Sequence, residues 1–278
     1  MSDKDKYAVF GNPVKHSKSP YIHSAFAAQC NQAIQYRAVK IELDDFARAT
    51  EQFFKDGGKG LNITLPFKSE AYSFADKLSK RAEMAGAVNT LAVDDAGQIV
   101  GDNTDGIGLV KDMIANLGWM IGGSRVLVLG AGGAVCGVLE PLLRENPKSL
   151  LMVNRTADKA IQLADRFAQL GPLEGGGYEL MDGRQFDIVV NGTSASLAGE
   201  LPPLGGSLLS DKGRCYDMMY GAEPTVFMRW AAEHTAWAIA DGLGMLVEQA
   251  AESFYIWRHI RPETGVVISE LRESFQNL

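Results

Sequence analysis

The sequence predicts an α/β protein made of two α/β domains in series, each with mostly parallel strands. Strand-like apolar runs alternate with helical patterns along most of the chain, and this alternation indicates stacked layers of strands and helices. The alternation breaks near Asp105 and then starts again, which predicts a domain boundary at that point. With 278 residues, the chain has room for one or two domains with a sizeable core.

The first series predicts a compact set of strands and helices that ends in a hairpin. Pro66 ends one strand, because proline lacks an N–H donor and favours extended geometry in the residue before it. A turn at 94–97 separates two short strand patterns and predicts an antiparallel edge. The predicted strands are 7–10, 35–43, 60–65, 89–93 and 98–100, and the predicted helices are 20–30, 46–55 and one or two within 69–86.

The second series begins with a helix that we expect to end at Gly118, a common C-terminal stop signal. Glycines and prolines predict loops at 171–177 and 195–210. The predicted strands are 125–129, 150–154, 186–191 and 214–218, and the predicted helices are 106–117, 131–144, 157–170 and 245–260. We therefore assign residues 1–105 to one domain, completed by 242–278, and residues 106–241 to the other. A cleft between two such domains is a usual place for a ligand.

Composition and charge exclude several classes of protein. Hydrophobic residues make up 46% and charged residues 22% of the chain, as in soluble globular proteins. The net charge of −7 argues against a surface built for nucleic acid or for an anionic membrane. The longest apolar stretch, 126–139, is shorter than the roughly 20 residues of a membrane span and contains glycines.

Cysteine and histidine usage favours a reduced compartment and no metal. Cys30, Cys136 and Cys215 form no CxxC pair, and no secretory signal pattern is visible, so we expect a cytoplasmic protein with free thiols. The histidines form no cluster with metal-ligand spacing, and no metal is expected. They are His16, His23, His234 and His259.

A glycine-rich turn predicts a dinucleotide site. It follows a predicted strand and opens a predicted helix, so its backbone can approach a pyrophosphate while the helix N-terminus supplies free N–H groups. Val135 stands where the general fingerprint has glycine or alanine. The alternative is a tight strand–helix turn without a ligand. The residues of the turn are Gly130, Ala131, Gly132, Gly133 and Ala134.

The end of the next strand predicts which dinucleotide binds. NAD-binding domains usually place a carboxylate here to hold the ribose 2′-hydroxyl, but this strand ends in Asn154, Arg155 and Thr156, with Lys159 one helical turn beyond. Two cations without an acid predict a clamp for the 2′-phosphate and therefore NADP(H). An exposed basic helix start is the alternative.

A single lysine lies at the junction between the predicted strand 60–65 and the helix that follows it. Lys68 lies at a strand end, where the active sites of open α/β sheets gather, and lysine can give or take a proton there. Asp105 precedes a later helix and could stabilise the charged lysine. The alternatives are a solvated lysine for Lys68 and a simple helix cap for Asp105.

Two serines precede the first helix. Ser19 is a plausible N-cap, followed by Pro20, and this explains Ser19 fully but Ser17 less well. Both hydroxyls lie near a helix N-terminus, so they could hold a carboxylate without an arginine.

Taken together and in order, these motifs resemble the shikimate dehydrogenase family over nearly the whole chain. The stretches that carry the resemblance are Ser17–Pro20, Asn62–Lys68, Ala87–Thr90, Asn103–Gly106, the GAGGA turn, Asn154–Thr156, Asn191–Ser194, Tyr216–Tyr220 and Gly242–Gln249. The resemblance implies a two-domain enzyme with a substrate domain and a Rossmann-type NADP-binding domain. It implies NADPH-dependent reduction of 3-dehydroshikimate to shikimate in chorismate biosynthesis.

The resemblance also implies roles for individual residues. Lys68 would be the catalytic acid/base, with Asp105 as its partner. Ser17 and Ser19 would bind the substrate carboxylate, and Tyr220 would close the pocket. The remaining substrate contacts would be Thr64, Asn89 and Gln249, and the cofactor would be held by Met218, Gly242, the glycine turn, Asn154, Arg155, Thr156 and Lys159. We expect a monomer or a homodimer.

Two other functions stay open on the sequence. One is a quinate/shikimate dehydrogenase that uses NAD or NADP, against which the Arg155/Lys159 pair argues. The other is a non-catalytic NADPH-binding protein, which would not need Lys68 and Asp105 together.

Overall fold

The computed structural model describes residues 4–193, 195 and 199–276, and its contacts divide the chain into two compact units. The first unit runs to Gly108 and includes Val247–Ile268, and the second comprises Leu109–Leu246 and the chain from Ser269 onward. The domain bounds expected from the sequence, 1–105 with 242–278 and 106–241, stay a prediction.

The first unit contains a mixed six-stranded sheet in the order β2-β1-β3-β5-β6-β4. Its strands are β1 (Asp5–Gly11), β2 (Ile34–Lys40), β3 (Gly58–Ile63), β4 (Lys77–Leu78), β5 (Thr90–Val93) and β6 (Ile99–Asp102). Strand β1 pairs in parallel with β2 and β3, and β4 with β6, whereas β5 is antiparallel to β3 and β6. The helices are α1 (Ser19–Gln29), α2 (Phe46–Lys55), α3 (Lys68–Phe74), α4 (Lys80–Ala85) and α5 (Asp105–Lys111).

The core of the first unit forms around its central strands. Tyr7, Ala8, Val9 and Phe10 of β1 are all at most 3% exposed, as expected for a parallel strand covered on both faces. Leu61 and Ile63 of β3 join this core. The loops that follow the carboxyl ends of β1 and β3 are therefore attached to buried, well-packed strands.

The second unit contains an all-parallel six-stranded sheet in the order β12-β11-β10-β7-β8-β9. Its strands are β7 (Arg125–Leu129), β8 (Ser149–Val153), β9 (Leu173–Gly176), β10 (Phe186–Asn191), β11 (Leu209–Asp217) and β12 (Ala238–Ala240). This is the strand order of dinucleotide-binding domains, and it reverses between β7 and β10. The helices are α6 (Gly133–Arg144), α7 (Ala157–Phe167), α8 (Val226–Glu233), α9 (Leu243–Arg258) and α10 (Gly265–Gln276), of which α9 and α10 have residues in both units.

The predicted fold class is confirmed, and several element predictions need correction. The predicted loop 171–177 contains β9, because Gly175 packs against Ala160 of α7 where a Cβ would collide. The predicted helix 106–117 is α5 followed by a π-helical turn, Asp112–Asn116. The hairpin β5–β6 is not the sheet edge, since β4 lies outside it.

Other elements were not predicted at all. Helices α8 and α10 and the short strands β4 and β12 have no counterpart in the sequence prediction. Strand β11 begins at Leu209, inside the predicted loop 195–210, and residues 194 and 196–198 lie outside the described part of the chain. In the described residues, no helix is both long and apolar enough to cross a membrane.

Candidate active site

The first unit places Lys68 and Asp105 in direct contact. Helix α3 begins at Lys68 and α5 begins at Asp105, so both side chains project from helix starts that follow strand ends. Lys68 Nζ lies 2.5 Å from Asp105 Oδ2, and the two side chains are 24% and 12% exposed. A charged pair this well shielded from water interacts more strongly than one on an open surface.

Asn89 holds Asp105 in place. Its Nδ2 donates to Asp105 Oδ1 at 2.8 Å and to Thr104 Oγ1 at 2.9 Å. Its Oδ1 accepts from the Thr104 backbone N–H and from the Thr90 hydroxyl, each at 2.9 Å. Gln249 Oε1, 160 positions away in the sequence, lies 3.3 Å from Asn89 Nδ2. The structure therefore brings together four predicted site residues: Lys68, Asp105, Asn89 and Gln249.

Asn62 is a second buried amide, and sequence reasoning missed it as a functional residue. Its Nδ2 donates to Ser253 Oγ at 3.0 Å, to Thr90 Oγ1 at 3.2 Å and to the Asn89 carbonyl at 3.3 Å. Its Oδ1 accepts from Tyr36 at 2.7 Å and contacts His23 Nε2 at 3.1 Å. The available signal was a polar asparagine between two apolar residues, Leu61 and Ile63, in a strand whose residues 60–63 are all buried.

Ser17 and Ser19, at the start of α1, lie at the other end of this network. Helix α1 begins at Ser19, preceded by Lys18, so the interpretation of Ser19 as N-cap is wrong. The Ser19 N–H instead donates to Ser17 Oγ at 3.3 Å. The Ser19 side chain is buried and hydrogen-bonds to Tyr36. Hydrogen bonds thus run from Ser19 through Tyr36 and Asn62 toward Asn89 and Asp105.

Thr64 and Tyr220 are the remaining predicted substrate residues. Thr64 follows β3, and its N–H donates to the Phe10 carbonyl at 2.9 Å, which anchors the turn before Lys68. Tyr220 belongs to the second unit, where it stacks on Phe275 with ring centroids 6.2 Å apart. Burial raises the pKa of Tyr220, and the nearby Asp241 adds to the effect.

The glycine turn has the geometry of an anion site. Gly130 has a φ of +103°, and a Cβ there would lie 3.2 Å from Thr193 and 3.3 Å from Gly192. Helix α6 begins at Gly133 rather than at Ala131 as predicted, and its N-cap, Gly132, has no side chain to bind the first N–H groups. Those donors lie at an exposed helix end, so the turn fits the pyrophosphate of a dinucleotide.

Met218 and Gly242 lie near the same edge of the sheet. The Met218 N–H donates to the Asn191 carbonyl at 2.9 Å, and the Gly242 N–H donates to the Met219 carbonyl at 3.0 Å. A Cβ at Gly242 would collide with the Met218 backbone, so only glycine fits this approach.

The turn after β8 carries the predicted 2′-phosphate clamp. Asn154 Nδ2 donates to the Thr156 carbonyl at 2.9 Å and shapes the turn into α7. Arg155 and Lys159 are both exposed, and no described acidic side chain forms an ion pair with either. The Arg155 backbone N–H also hydrogen-bonds to Tyr178, whose phenol pKa is raised by burial. Two unneutralised cations beside the glycine turn suit a phosphate.

Comparisons with known proteins agree with this geometry. Three family models match: the shikimate dehydrogenase substrate binding domain at 9–91, shikimate / quinate 5-dehydrogenase at 113–198, and the shikimate 5′-dehydrogenase C-terminal domain at 242–272. The chain is 58% identical over 268 residues to a shikimate dehydrogenase (NADP(+)) of Cellvibrio japonicus, covering 96% of this chain and 97% of that protein.

The chain belongs to the shikimate dehydrogenase family.

Two solved structures have the same fold over nearly the whole length of this chain. An Ael1 enzyme from Pseudomonas putida is 46% identical, with a TM-score of 0.91 and coverage of 96% of this chain and 98% of that one. A shikimate 5-dehydrogenase from Thermus thermophilus in complex with shikimate is 30% identical, with a TM-score of 0.84 and coverage of 98% and 99%. The two-domain α/β fold expected from the family resemblance is therefore confirmed.

His23 should make this family member sensitive to acid. Burial lowers the pKa of His23 from 6.5 to about 3, and its contact with Asn62 opposes this only in part. Below pH 6.5 the unfolded chain binds a proton at His23 that the folded chain does not bind until about pH 3. The free energy of unfolding therefore decreases as the pH is lowered through that window. We expect a loss of about 2 kcal/mol of unfolding free energy between pH 7.5 and pH 5 from this group.

Urea denaturation at several pH values measures this effect. His23→Gln should remove most of the pH dependence in that window, whereas the exposed His16→Gln should keep it. An unchanged slope in His23→Gln would show that other groups cause the acid sensitivity.

Proposed function

We propose that this chain catalyses the reversible NADPH-dependent reduction of 3-dehydroshikimate to shikimate in chorismate biosynthesis. The observation that carries the proposal is the Lys68–Asp105 pair, 2.5 Å apart, with the buried Asn89 amide donating to Asp105 at 2.8 Å. The family model at 9–91 describes a substrate binding domain, and this segment includes Lys68 and Asn89.

The pair suits the proton half of a ketone reduction. The cofactor, which the glycine turn and Arg155 would hold, would supply the hydride for the carbonyl carbon. The ammonium of Lys68 stabilises the negative charge that develops on the carbonyl oxygen and donates a proton to it. The Asp105 carboxylate, 2.5 Å from Lys68 Nζ, offsets the charge of that ammonium and holds it in position.

The surrounding groups suit a polyhydroxylated acid. Asp105, Asn89 and Gln249 offer oxygen acceptors and an amide donor to ring hydroxyls, and Thr64 lies on the turn that leads to Lys68. Ser17 and Ser19 present hydroxyls at the N-terminus of α1, which favours an anion. The substrate carboxylate at the serines and its carbonyl at Lys68 would use both ends of the network.

The second unit's residues suit NADPH. The turn Gly130–Ala134 offers uncapped N–H groups to the pyrophosphate, and Arg155 and Lys159 offer positive charge to the 2′-phosphate. Tyr220, Met218 and Gly242 are proposed around the reacting rings on the strength of the family resemblance. We further propose a cytoplasmic enzyme that works as a monomer or a homodimer.

Quinate is the second candidate substrate. The family model at 113–198 is described as shikimate / quinate 5-dehydrogenase, so this family includes both activities. The two exposed cations after β8 favour NADP over NAD and, with it, the biosynthetic reaction. A non-catalytic NADPH-binding protein would have no use for a partly buried Lys68–Asp105 pair.

Initial rates with the wild-type protein test the function. Shikimate and quinate are each oxidised with NADP and with NAD, and the reduced nicotinamide is followed by its absorbance. We expect kcat/KM to be highest for shikimate with NADP. Comparable turnover of quinate, or a preference for NAD, would support the second candidate instead.

Lys68→Ala tests the proton role. We expect kcat to fall by roughly 10³-fold, since general acid–base catalysis typically contributes about 10² to 10⁴. The dissociation constant of NADPH, measured by fluorescence titration, should stay nearly unchanged. Lys80→Ala is a matched control, because Lys80 is also the first residue of a short helix in the same unit but is exposed. A loss of NADPH affinity as large as the loss of kcat would contradict the assignment.

Arg155→Ala tests the phosphate clamp. A charge-assisted, forked contact to phosphate contributes about 1.5–3 kcal/mol, so we expect KM for NADP to rise roughly 10- to 100-fold. KM for NAD should change far less. Lys148→Ala removes an exposed charge next to the opposite end of β8 and should leave both constants unchanged. Equal losses with the two cofactors would argue against the clamp.

A further inference from the structure

Asn62 can adopt only one amide orientation. Its Nδ2 faces the Asn89 backbone carbonyl at 3.3 Å, and a carbonyl oxygen only accepts. Oδ1 therefore points the other way, toward Tyr36 at 2.7 Å and His23 at 3.1 Å. One buried oxygen thus has two neighbours that must both donate to it.

This orientation fixes the protons of both neighbours. The Tyr36 hydroxyl must donate to Asn62, and His23 must carry its proton on Nε2, because Oδ1 has none to give. His23 is fully buried and neutral, with its pKa lowered to about 3 by burial. Its Nδ1 has no hydrogen-bond partner among the described residues. Burying a ring nitrogen without a hydrogen-bond partner costs free energy. The retained hydrogen bond from His23 Nε2 to Asn62 therefore calls for an explanation.

The Tyr36 hydroxyl also meets Ser19. Since its single proton goes to Asn62, the Ser19 hydroxyl donates to the Tyr36 oxygen. In the ligand-free protein the donors therefore run from Ser19 to Tyr36 to Asn62. This direction leaves Ser19 without a proton for an anion at the N-terminus of α1.

A bound carboxylate would require the opposite direction. Ser19 has one proton, and giving it to a carboxylate leaves its oxygen facing the Tyr36 oxygen without a hydrogen between them. The conflict is removed if the Tyr36 hydroxyl rotates and donates to Ser19. Asn62 Oδ1 then still accepts from His23, and the Tyr36 hydroxyl stays hydrogen-bonded as the donor to Ser19, so neither buried group is left without a partner.

We propose that Tyr36 is a positioning residue whose hydroxyl switches from Asn62 to Ser19 when the substrate carboxylate binds, with His23 as the donor that keeps Asn62 satisfied. This rests on the proposed function, in which Ser17 and Ser19 bind that carboxylate. The resulting row, Tyr36 to Ser19 to carboxylate, ends on a charge, and aligned hydrogen bonds of this kind strengthen one another. Tyr36 acts on affinity through Ser19 and does not touch the reacting atoms.

The test is a double-mutant cycle on the full chain. Tyr36→Phe keeps the ring, which stacks on His23 with centroids 4.3 Å apart, and removes only the hydroxyl. We expect KM for shikimate to rise about tenfold, as for the loss of support to a charged hydrogen bond, with kcat changed less than about twofold. In a Ser19→Ala background, the same substitution should change KM less than about twofold. An equal factor in both backgrounds, or no change in the wild-type background, overturns the proposal.

The matched control is Tyr7→Phe. Tyr7 lies directly opposite Tyr36 on the neighbouring strand β1 and is also buried, but its hydroxyl contacts Arg258. It should leave KM for shikimate unchanged, and a rise equal to that of Tyr36→Phe would assign the effect to packing and overturn the proposal. Wild-type turnover of shikimate, measured beside the variants, separates failure of this inference from failure of the proposed function.

A measurement on the wild-type protein does not depend on the folding of any variant. Nitrogen-15 NMR of the imidazoles should show His23 protonated at Nε2 in the free protein. Saturating shikimate should move that Nε2–H proton resonance downfield, because Asn62 loses its second donor and accepts more strongly from His23. An unmoved resonance, or a proton on Nδ1, would refute the switch.

Discussion

The chemistry of the first unit depends on one constraint: buried amides must have all their hydrogen bonds satisfied inside the protein. Asn62 and Asn89 sit at 6% and 3% exposure at neighbouring strand ends, and each can be satisfied in one orientation only. Those orientations fix Thr104, Asp105, Tyr36 and His23 in turn. The positions of Lys68 and Asp105 therefore follow from a hydrogen-bond network that exists before any substrate binds. Groups that are already in position need less reorganisation when the transition state of a reaction forms.

Local signals explain why much of the fold could be predicted from the sequence. Strands β7 and β10 match their predicted bounds, because short apolar runs bounded by glycine or polar residues have one interpretation in a parallel sheet. Strand β9 could not be predicted. Its glycines, Gly175 and Gly176, serve close packing on α7 and on Leu180 rather than a turn, and only the tertiary structure distinguishes these uses. Helix α10 lies in a stretch that held no recognised motif, and Thr264, a preferred N-cap residue type directly before it, was too weak a signal alone.

The candidate site could be predicted where the residue type and its position at a strand or helix end indicate the chemistry. It could not be predicted where only a contact in the folded structure indicates a role. Lys68, Asp105 and the glycine turn stand at strand or helix ends, which sequence patterns mark. Gln249 came from the family resemblance, since nothing in its helix sets it apart from other polar residues. Tyr36 and His23 look like core aromatic residues, and only their shared contact with Asn62 shows another role. Polar partners of polar residues are set by pairing in space, which a single sequence does not display.

The donor and acceptor balance of the network also determines how a substrate would be oriented. Asn89 Nδ2 has two hydrogens but lies within 3.3 Å of three acceptors, on Thr104, Asp105 and Gln249. Acceptors therefore outnumber the Asn89 hydrogens at the Lys68 end, where the Asp105 carboxylate already pairs with the Lys68 ammonium. This end favours hydroxyl groups, which donate, and disfavours a carboxylate. The Ser17–Ser19 end has the opposite character, because its hydroxyls lie at the positive end of α1 and, in the proposed switch, Tyr36 frees the Ser19 proton for a carboxylate. A molecule with a carboxylate at one side of a ring and hydroxyls at the other can satisfy both ends in one orientation only, and that orientation places the ring oxygens beside Lys68.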